Sequence, residues 1–115
     1  MTAQEIFDTV AVKLREQGGP SLSHRGGCAY RGRDGRRCAV GWLISDDEYS
    51  PDMEAREASI LILPKRLHEH ELLLLSLQNV HDAHEVEVVN WFDDVAVSLR
   101  DLANEFELSP AVLDS

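Results

Sequence analysis

The sequence has few cysteines and few basic residues, and it lacks long apolar runs. Its two cysteines, Cys28 and Cys38, are too few for the disulfide framework of a small secreted domain. No uninterrupted apolar run is longer than Leu72–Leu75, whereas a membrane-spanning helix needs about 18 such residues. With 21 acidic against 11 basic residues, the chain also lacks the basic footprint that direct nucleic-acid binding requires.

The composition is that of a globular protein. Of the 115 residues, 43% are hydrophobic and 28% are charged, which predicts a single domain spanning residues 1–115. The amino-terminal residues do not show the basic-then-apolar order of a secretory signal peptide. We therefore expect a cytoplasmic protein with reduced thiols and no membrane association.

Charge is distributed unevenly along the chain. Residues 24–37 contain five arginines and one acid, whereas residues 38–115 contain 17 acids and four basic residues. This dipolar pattern predicts two candidate partner-binding surfaces. The basic surface either grips a phosphate or a carboxylate-rich partner, or packs on the protein's own acidic helices. Its residues are Arg31, Arg33, Arg36 and Arg37. The acidic surface comprises Asp46, Asp47, Glu48, Asp93 and Asp94.

Three helices are predicted from apolar periodicity. The first begins at the capping box formed by Thr2 and Glu5 and ends at the Gly-Gly-Pro sequence of residues 18–20. The second covers about residues 64–83 and the third about residues 87–108. The third helix carries a seam with four-three spacing: Val88, Phe92, Val95, Leu99, Leu102 and Phe106. A short helix is expected after Pro51, whereas residues 59–63 fit either its extension or a strand.

Residues 28–40 have the pattern of a β-hairpin. A two-residue turn at Asp34-Gly35 would split the apolar side chains between the two faces of the hairpin. A three-residue loop, Arg33-Asp34-Gly35, pairs Tyr30 with Cys38 and gathers the apolar side chains on one face. The sequence thus predicts an α+β fold, a mostly helical single domain with one β-hairpin, at about residues 28–40, packed on a helical bundle.

The cysteines and histidines have two interpretations. In the predicted hairpin register, Cys28 and Cys38 are diagonal neighbours, too far apart for an unstrained disulfide, so both are expected to be reduced and largely buried. The spacing of the two cysteines matches no zinc knuckle, whereas His81 and His84 could share one helical face, as metal ligands do, or form a polar helix end among acidic residues. We expect neither a metal nor another cofactor. The residues that a metal site would use are Cys28, Cys38, His81 and His84.

The leucine run at Leu72–Leu75 covers more than one face of its predicted helix. An apolar surface on both sides of a helix needs burial on both sides. In a domain of this size, a second copy of the chain is one candidate to cover it, which would make the protein a homodimer.

Two motifs resemble a known protein family. The first, C-x-Y-R…G-x-x-C-A-V-G-x-L-I at residues 28–44, is followed by Asp-x-x-Tyr at 46–49 and Pro-x-Met-Glu at 51–54. The second, Leu-x-x-Leu-Gln-x-x-His-Asp at 74–82, is followed by Trp91 and a Leu-x-x-Leu-Ala run at 99–103. Both are similar to small uncharacterised proteins of tailed bacteriophages and prophages. The resemblance implies a phage-type protein in the cytoplasm of a bacterial host, and it carries no known activity.

These observations favour an accessory protein without enzymatic activity. We expect it to bind a host or phage protein and to inhibit a host factor, such as a defence factor, through its acidic surface. The alternative is a small metal-dependent or thiol enzyme that uses its cysteine and histidine residues.

Overall fold

Three α-helices form the framework of the protein in the computed structural model. The structure describes residues 1–24, 26–55 and 63–115. The helices are α1 (Ala3–Gln17), α2 (Glu71–Ala83) and α3 (Trp91–Glu105). Shorter 3-10 helices connect and flank them at Arg33–Gly35, Val40–Leu43, Pro51–Ala55, Lys65–His70 and Ala111–Asp114. No helix in the described ranges is long and apolar enough to cross a membrane.

Helix α1 forms as its local sequence predicts. The Thr2 hydroxyl accepts a hydrogen bond from the backbone N–H of Glu5, and the Glu5 carboxylate accepts one from the backbone N–H of Thr2. At the other end, Gly18 adopts a left-handed conformation with φ of 68° and donates to the carbonyl of Leu14. The apolar stripe of the helix is buried in the core: Ile6, Phe7, Val10, Ala11 and Leu14.

Helices α2 and α3 are shorter than the sequence predicts. Residues 65–70 form a 3-10 helix after Pro64, and α2 begins only at Glu71. Asn90 has a positive φ of 63°, so α3 begins at Trp91 and residues 86–89 form an exposed connection. Phe92, at the predicted seam, is only partly buried, and the adjacent Trp91 is buried instead. The buried face of α3 consists of Trp91, Val95, Leu99, Leu102 and Ala103.

The prediction of an α+β fold with a β-hairpin is wrong, because residues 1–24, 26–55 and 63–115 contain no β-strand. A turn is present at Arg33–Gly35, but both Asp34 (φ 60°) and Gly35 (φ 74°) are left-handed, and Arg36 N–H donates to the carbonyl of Arg33, as in a turn centred on Asp34-Gly35. Two isolated antiparallel bridges are present: one joins Arg31 and Arg37, in the register expected for the hairpin, and the other joins Leu22 and Cys28. The chain then leaves the extended conformation at Ala39, which is helical, and a 3-10 helix begins at Val40.

The physical reason is that side chains from other elements accept several of the backbone N–H groups that a hairpin ladder would use. We call residues 20–24 and 26–41 the irregular segment; its other donors include Ala29 N–H, which bonds to the carbonyl of Ser21, and Arg33 N–H, which bonds to that of Leu22. Ser21 N–H donates to His81 at 2.9 Å and Val40 N–H donates to Gln78 at 3.1 Å. Further bonds run from Tyr30 and Arg31 to Glu54, and from Arg37 to Gln17. Buried backbone donors must find acceptors, and these side chains provide them without a sheet.

The leucine run and residues 59–63 have different outcomes. Leu73 and Leu74 of α2 are buried in the core and Leu75 is partly buried, whereas the side chain of Leu72 is 73% exposed. The run therefore leaves one leucine uncovered rather than a whole helix face. The choice between strand and helix for residues 59–63 lies outside the described residues, except for Leu63, which is buried.

Candidate functional site

The structure brings Cys28, His81 and Asp82 together. One ligand atom from each of these side chains lies within 4.8 Å of the other two. Helix α2 presents His81 and Asp82, while Cys28 comes from the irregular segment. The other two candidate ligands lie elsewhere. The Cys38 sulfur accepts the backbone N–H of Gly41, and the ring of His84 is bonded to the carbonyl of Val80.

The hydrogen bonds of His81 determine its tautomer. The backbone N–H of Ser21 can only donate, so Nε2 of His81 is the acceptor, at 2.9 Å. The proton of the neutral ring then sits on Nδ1 and is donated to Oδ1 of Asp82 at 3.0 Å. The His81 side chain is fully buried, and both ring nitrogens are occupied.

This tautomer is a poor fit to a metal ligand. A cation on Nδ1 would move the ring proton to Nε2, where it would face the N–H of Ser21, donor against donor. Oδ1 of Asp82 also accepts a hydrogen bond from Nε2 of Gln78 at 3.0 Å. The cluster therefore acts as a hydrogen-bonded junction between α2 and the irregular segment.

Both thiols are in environments that disfavour the thiolate. Burial, together with the charge and hydrogen bond of Asp82, raises the pKa of Cys28 to about 12. Burial raises the pKa of Cys38 to about 12 as well. Both cysteines are free, with Cys38 buried and Cys28 partly exposed. A nucleophilic cysteine needs a lowered pKa, which is the opposite of what either residue has.

We expect iodoacetamide to modify native Cys28 far more slowly than an ordinary exposed cysteine at pH 8. Asp82→Asn removes the negative charge beside the sulfur and should accelerate the modification of Cys28. Peptide mass spectrometry of the time course measures both cysteines in one sample. Cys38 is the internal control, because general opening of the fold would accelerate both residues. Fast modification of Cys28 in the unaltered protein would contradict the raised pKa of its thiol.

A cleft of about 570 Å³ opens beside Cys28. At its wall, Oε1 of Glu54 accepts the N–H of Tyr30 at 2.8 Å, and Oε2 accepts the N–H of Arg31 at 3.1 Å and the hydroxyl of Tyr49 at 2.6 Å. The Arg31 guanidinium stacks on the Tyr49 ring, with Cζ 4.4 Å from the ring centroid. Arg31 Nε is buried and has no hydrogen-bond acceptor in the described part of the chain. The lining residues are Ser23, His24, Gly27, Cys28, Ala29, Arg31, Gly32, Arg33, Tyr49, Pro51 and Glu54.

Sequence reasoning missed the structural roles of Gln78, Asp82 and Glu54. Gln78, His81 and Asp82 are spaced i, i+3 and i+4, so they lie on one face of α2. Polar side chains that share a helix face beside buried leucines need hydrogen-bond partners. This pattern could have indicated that the three residues bond to another part of the chain. For Glu54 we find no such local signal, since the two backbone N–H groups that it accepts lie more than 20 residues away in sequence.

Three of the four candidate arginines pair with the protein's own carboxylates. Arg31 Nη1 lies 2.7 Å from Asp46, and Arg37 reaches the same carboxylate at 3.8 Å. Arg36 pairs with Glu87. Arg33 is exposed and has no acidic partner within ion-pair distance among the described residues. We call Arg31, Arg33, Arg36 and Arg37 the arginine turn. It is largely paired within the molecule, but with Asp46 in a turn and Glu87 in the connection before α3 rather than with acidic helices.

The candidate acidic residues separate into two groups. Asp46 and Glu48 are paired, and the hydrogen bonds from Arg66 hold the pKa of Glu48 at about 2. By contrast, Asp93 and Asp94 are exposed in the first turn of α3, where negative charge stabilises the helix dipole. Asp47 is also exposed.

Searches of protein-family models, curated proteins and solved structures find no match to this chain.

Proposed function

We propose that the protein acts by binding another protein through the exposed face of α3. This acidic α3 face is defined by Asp93, Asp94, Val97, Asp101 and Glu105. The observation that carries the proposal is that its four carboxylates are exposed and that none lies within ion-pair distance of a base in the described part of the chain. The arginine turn, in contrast, is mostly neutralised within the molecule.

Helix geometry makes this face a continuous surface. Asp94, Val97, Asp101 and Glu105 follow one another at helical spacing, so their side chains share one side of α3. The Val97 side chain is 64% exposed between the acids and offers an apolar contact at the centre. A shallow groove of about 310 Å³ between α2 and α3 borders the face and includes Asp101 and Glu105 in its lining.

The electrostatics favour a basic protein partner. The formal net charge of the chain is −10, and the unpaired carboxylates of α3 add their local field to it. Such a field accelerates association with a positively charged surface and suppresses binding to acidic ones. Exposed charges contribute mainly to the association rate, whereas the buried apolar centre of an interface sustains affinity.

A host or phage protein is the partner class that we propose. The resemblance to phage and prophage proteins favours a protein that works in the cytoplasm of a bacterial host. In that setting, an acidic helical surface that covers the basic site of a host defence factor would inhibit it. A homodimer formed through the exposed Leu72 of α2 is a different outcome, and sedimentation of the purified protein distinguishes it.

The alternative, a small metal-dependent or thiol enzyme, has less support from the geometry. Cys28 and His81 do lie together with Asp82. However, the thiol pKa of about 12 and the occupied nitrogens of His81 both oppose their use in catalysis. Stoichiometric zinc in the purified protein would reverse this preference.

The double substitution Asp93→Lys with Asp94→Lys tests the acidic α3 face. We expect it to lower the rate of association with the protein captured from a bacterial lysate by roughly tenfold or more at low salt. The difference should shrink as ionic strength rises, because salt screens exposed charges over about 8 Å. Surface plasmon resonance at several salt concentrations measures the rate.

The matched control is Glu16→Lys with Asp52→Lys, which makes the same change in net charge at two exposed acids outside the candidate surfaces. Equal losses for both variants would show that net charge matters and the α3 face does not. Arg33→Glu with Arg36→Glu tests the arginine turn in the same assay. A loss confined to that variant would assign docking to the basic surface instead.

A further inference from the structure

The cleft beside Cys28 has the size of a small-molecule site. Its volume of about 570 Å³ lies within the range of roughly 300–1,000 Å³ that is typical of ligand pockets. It lies between the irregular segment and residues 49–54, so its walls come from two separate parts of the chain. The acidic α3 face contributes no residue to its lining.

The charged groups of the cleft favour an anion. Among the described residues, two arginines and one carboxylate line it, in a chain whose net charge is −10. The oxygens of Glu54 already accept two backbone N–H groups and the Tyr49 hydroxyl, so they are engaged within the wall. Cys28 contributes a neutral thiol at physiological pH, because its pKa is raised.

The two arginines have different roles. Arg31 is fixed by the Tyr49 ring, by Asp46 and by the carbonyl of Ile44, so its charge is paired within the molecule and its side chain forms a rigid wall. Arg33 is held only through its backbone, where its N–H donates to the carbonyl of Leu22 at 3.0 Å. The Arg33 guanidinium is exposed and unpaired within the described ranges, so its donors are available to a ligand.

We infer that this cleft binds a small molecule that carries an oxyanion, either a phosphate or a carboxylate. Arg33 donates to the oxyanion as a bidentate fork and supplies the unpaired positive charge, while Arg31, paired with Asp46, forms the adjacent wall. The exposed imidazole of His24 lies on the same lining and offers a further polar contact. The inference concerns a different surface from the proposed protein docking face, and the two can fail separately.

Titration of ¹⁵N-labelled protein tests the inference with three probes at fixed ionic strength: inorganic phosphate, adenosine monophosphate and glutarate. Binding predicts saturable chemical-shift changes at the amides of Gly27, Gly32 and Arg33 at millimolar probe concentration. The phosphate and glutarate titrations distinguish the two oxyanions, and adenosine monophosphate reports the gain from an organic group. Absence of saturable shifts with all three probes would overturn the inference.

Arg33→Ala should weaken the binding by roughly tenfold or more, since it removes a charge-assisted pair of hydrogen bonds. Arg33→Lys keeps the charge but loses the fork, so it should recover part of the affinity. The control is Arg100→Ala, which removes an exposed arginine on α3 that pairs with Asp114. Equal weakening by Arg33→Ala and Arg100→Ala would mean that the probes sense net charge rather than the cleft.

Discussion

Replacing Trp91 with alanine is expected to lower the free energy of unfolding by about 3–5 kcal/mol, the usual loss for a buried large aromatic. The Trp91 side chain is 1% exposed and packs edge-on against His81, with ring centroids 6.3 Å apart. Its indole N–H also donates to the carbonyl of His84 at 2.7 Å. The substitution thus leaves a cavity where α2 meets α3, together with an unpaired carbonyl.

Phe92→Ala is the matched comparison, because Phe92 is the next residue on α3 but is only partly buried. Its ring lies under the Arg15 guanidinium at the edge of the core, and the Cζ atom of Arg15 is 5.2 Å from the ring centroid of Phe92. We expect a clearly smaller loss, in proportion to the smaller apolar area that it removes from water. Urea denaturation followed by circular dichroism measures both. If Phe92→Ala costs as much as Trp91→Ala, the buried face of α3 is misassigned.

Glu54→Ala is expected to have the second largest effect, a loss of about 3 kcal/mol. The substitution removes the acceptor of two backbone N–H groups and of the Tyr49 hydroxyl. Each unsatisfied buried donor costs roughly 1–3 kcal/mol, and the lower part of that range applies because the site is only partly buried. Amide hydrogen exchange should accelerate at Tyr30 and Arg31 in parallel with the loss.

Two variants control for Glu54. Glu54→Gln keeps one acceptor oxygen but turns an NH₂ group toward the remaining donors. Its free energy of unfolding should therefore lie between those of the unaltered protein and Glu54→Ala. Asp52→Ala changes an exposed acid of the same short helix and should stay within about 0.5 kcal/mol of the unaltered protein. A Glu54→Ala protein as stable as Asp52→Ala would show that the carboxylate does not hold the irregular segment.

Most of the helical framework could be predicted from the sequence, whereas the candidate sites could be predicted only in part. Asp93 and Asp94 were identified from charge alone, and α3 does expose them. The cleft was not predicted, because Cys28 and Glu54 reach it from segments that periodicity does not connect. Apolar periodicity indicates which face of a helix is buried, but it does not indicate what that face contacts.

By itself, the sequence determined the features that depend on a few neighbouring residues. The capping box of Thr2 and Glu5 and the left-handed Gly18 delimit α1. The turn at Arg33–Gly35 likewise follows from its own residues, with Gly35 at a positive φ. In each case, the group that satisfies a backbone donor or permits a backbone angle lies within one turn of the chain.

Only the tertiary structure decided whether the segment around that turn becomes a β-hairpin. Its arms have the alternating pattern of strands, yet the acceptor for Tyr30 N–H comes from Glu54, 24 residues away, and that for Val40 N–H from Gln78, 38 residues away. A backbone N–H bonded to such a side chain does not join a strand ladder. Which acceptor it receives depends on how Glu54 and α2 pack against the segment, because packing alone brings residues so distant in sequence within hydrogen-bond distance.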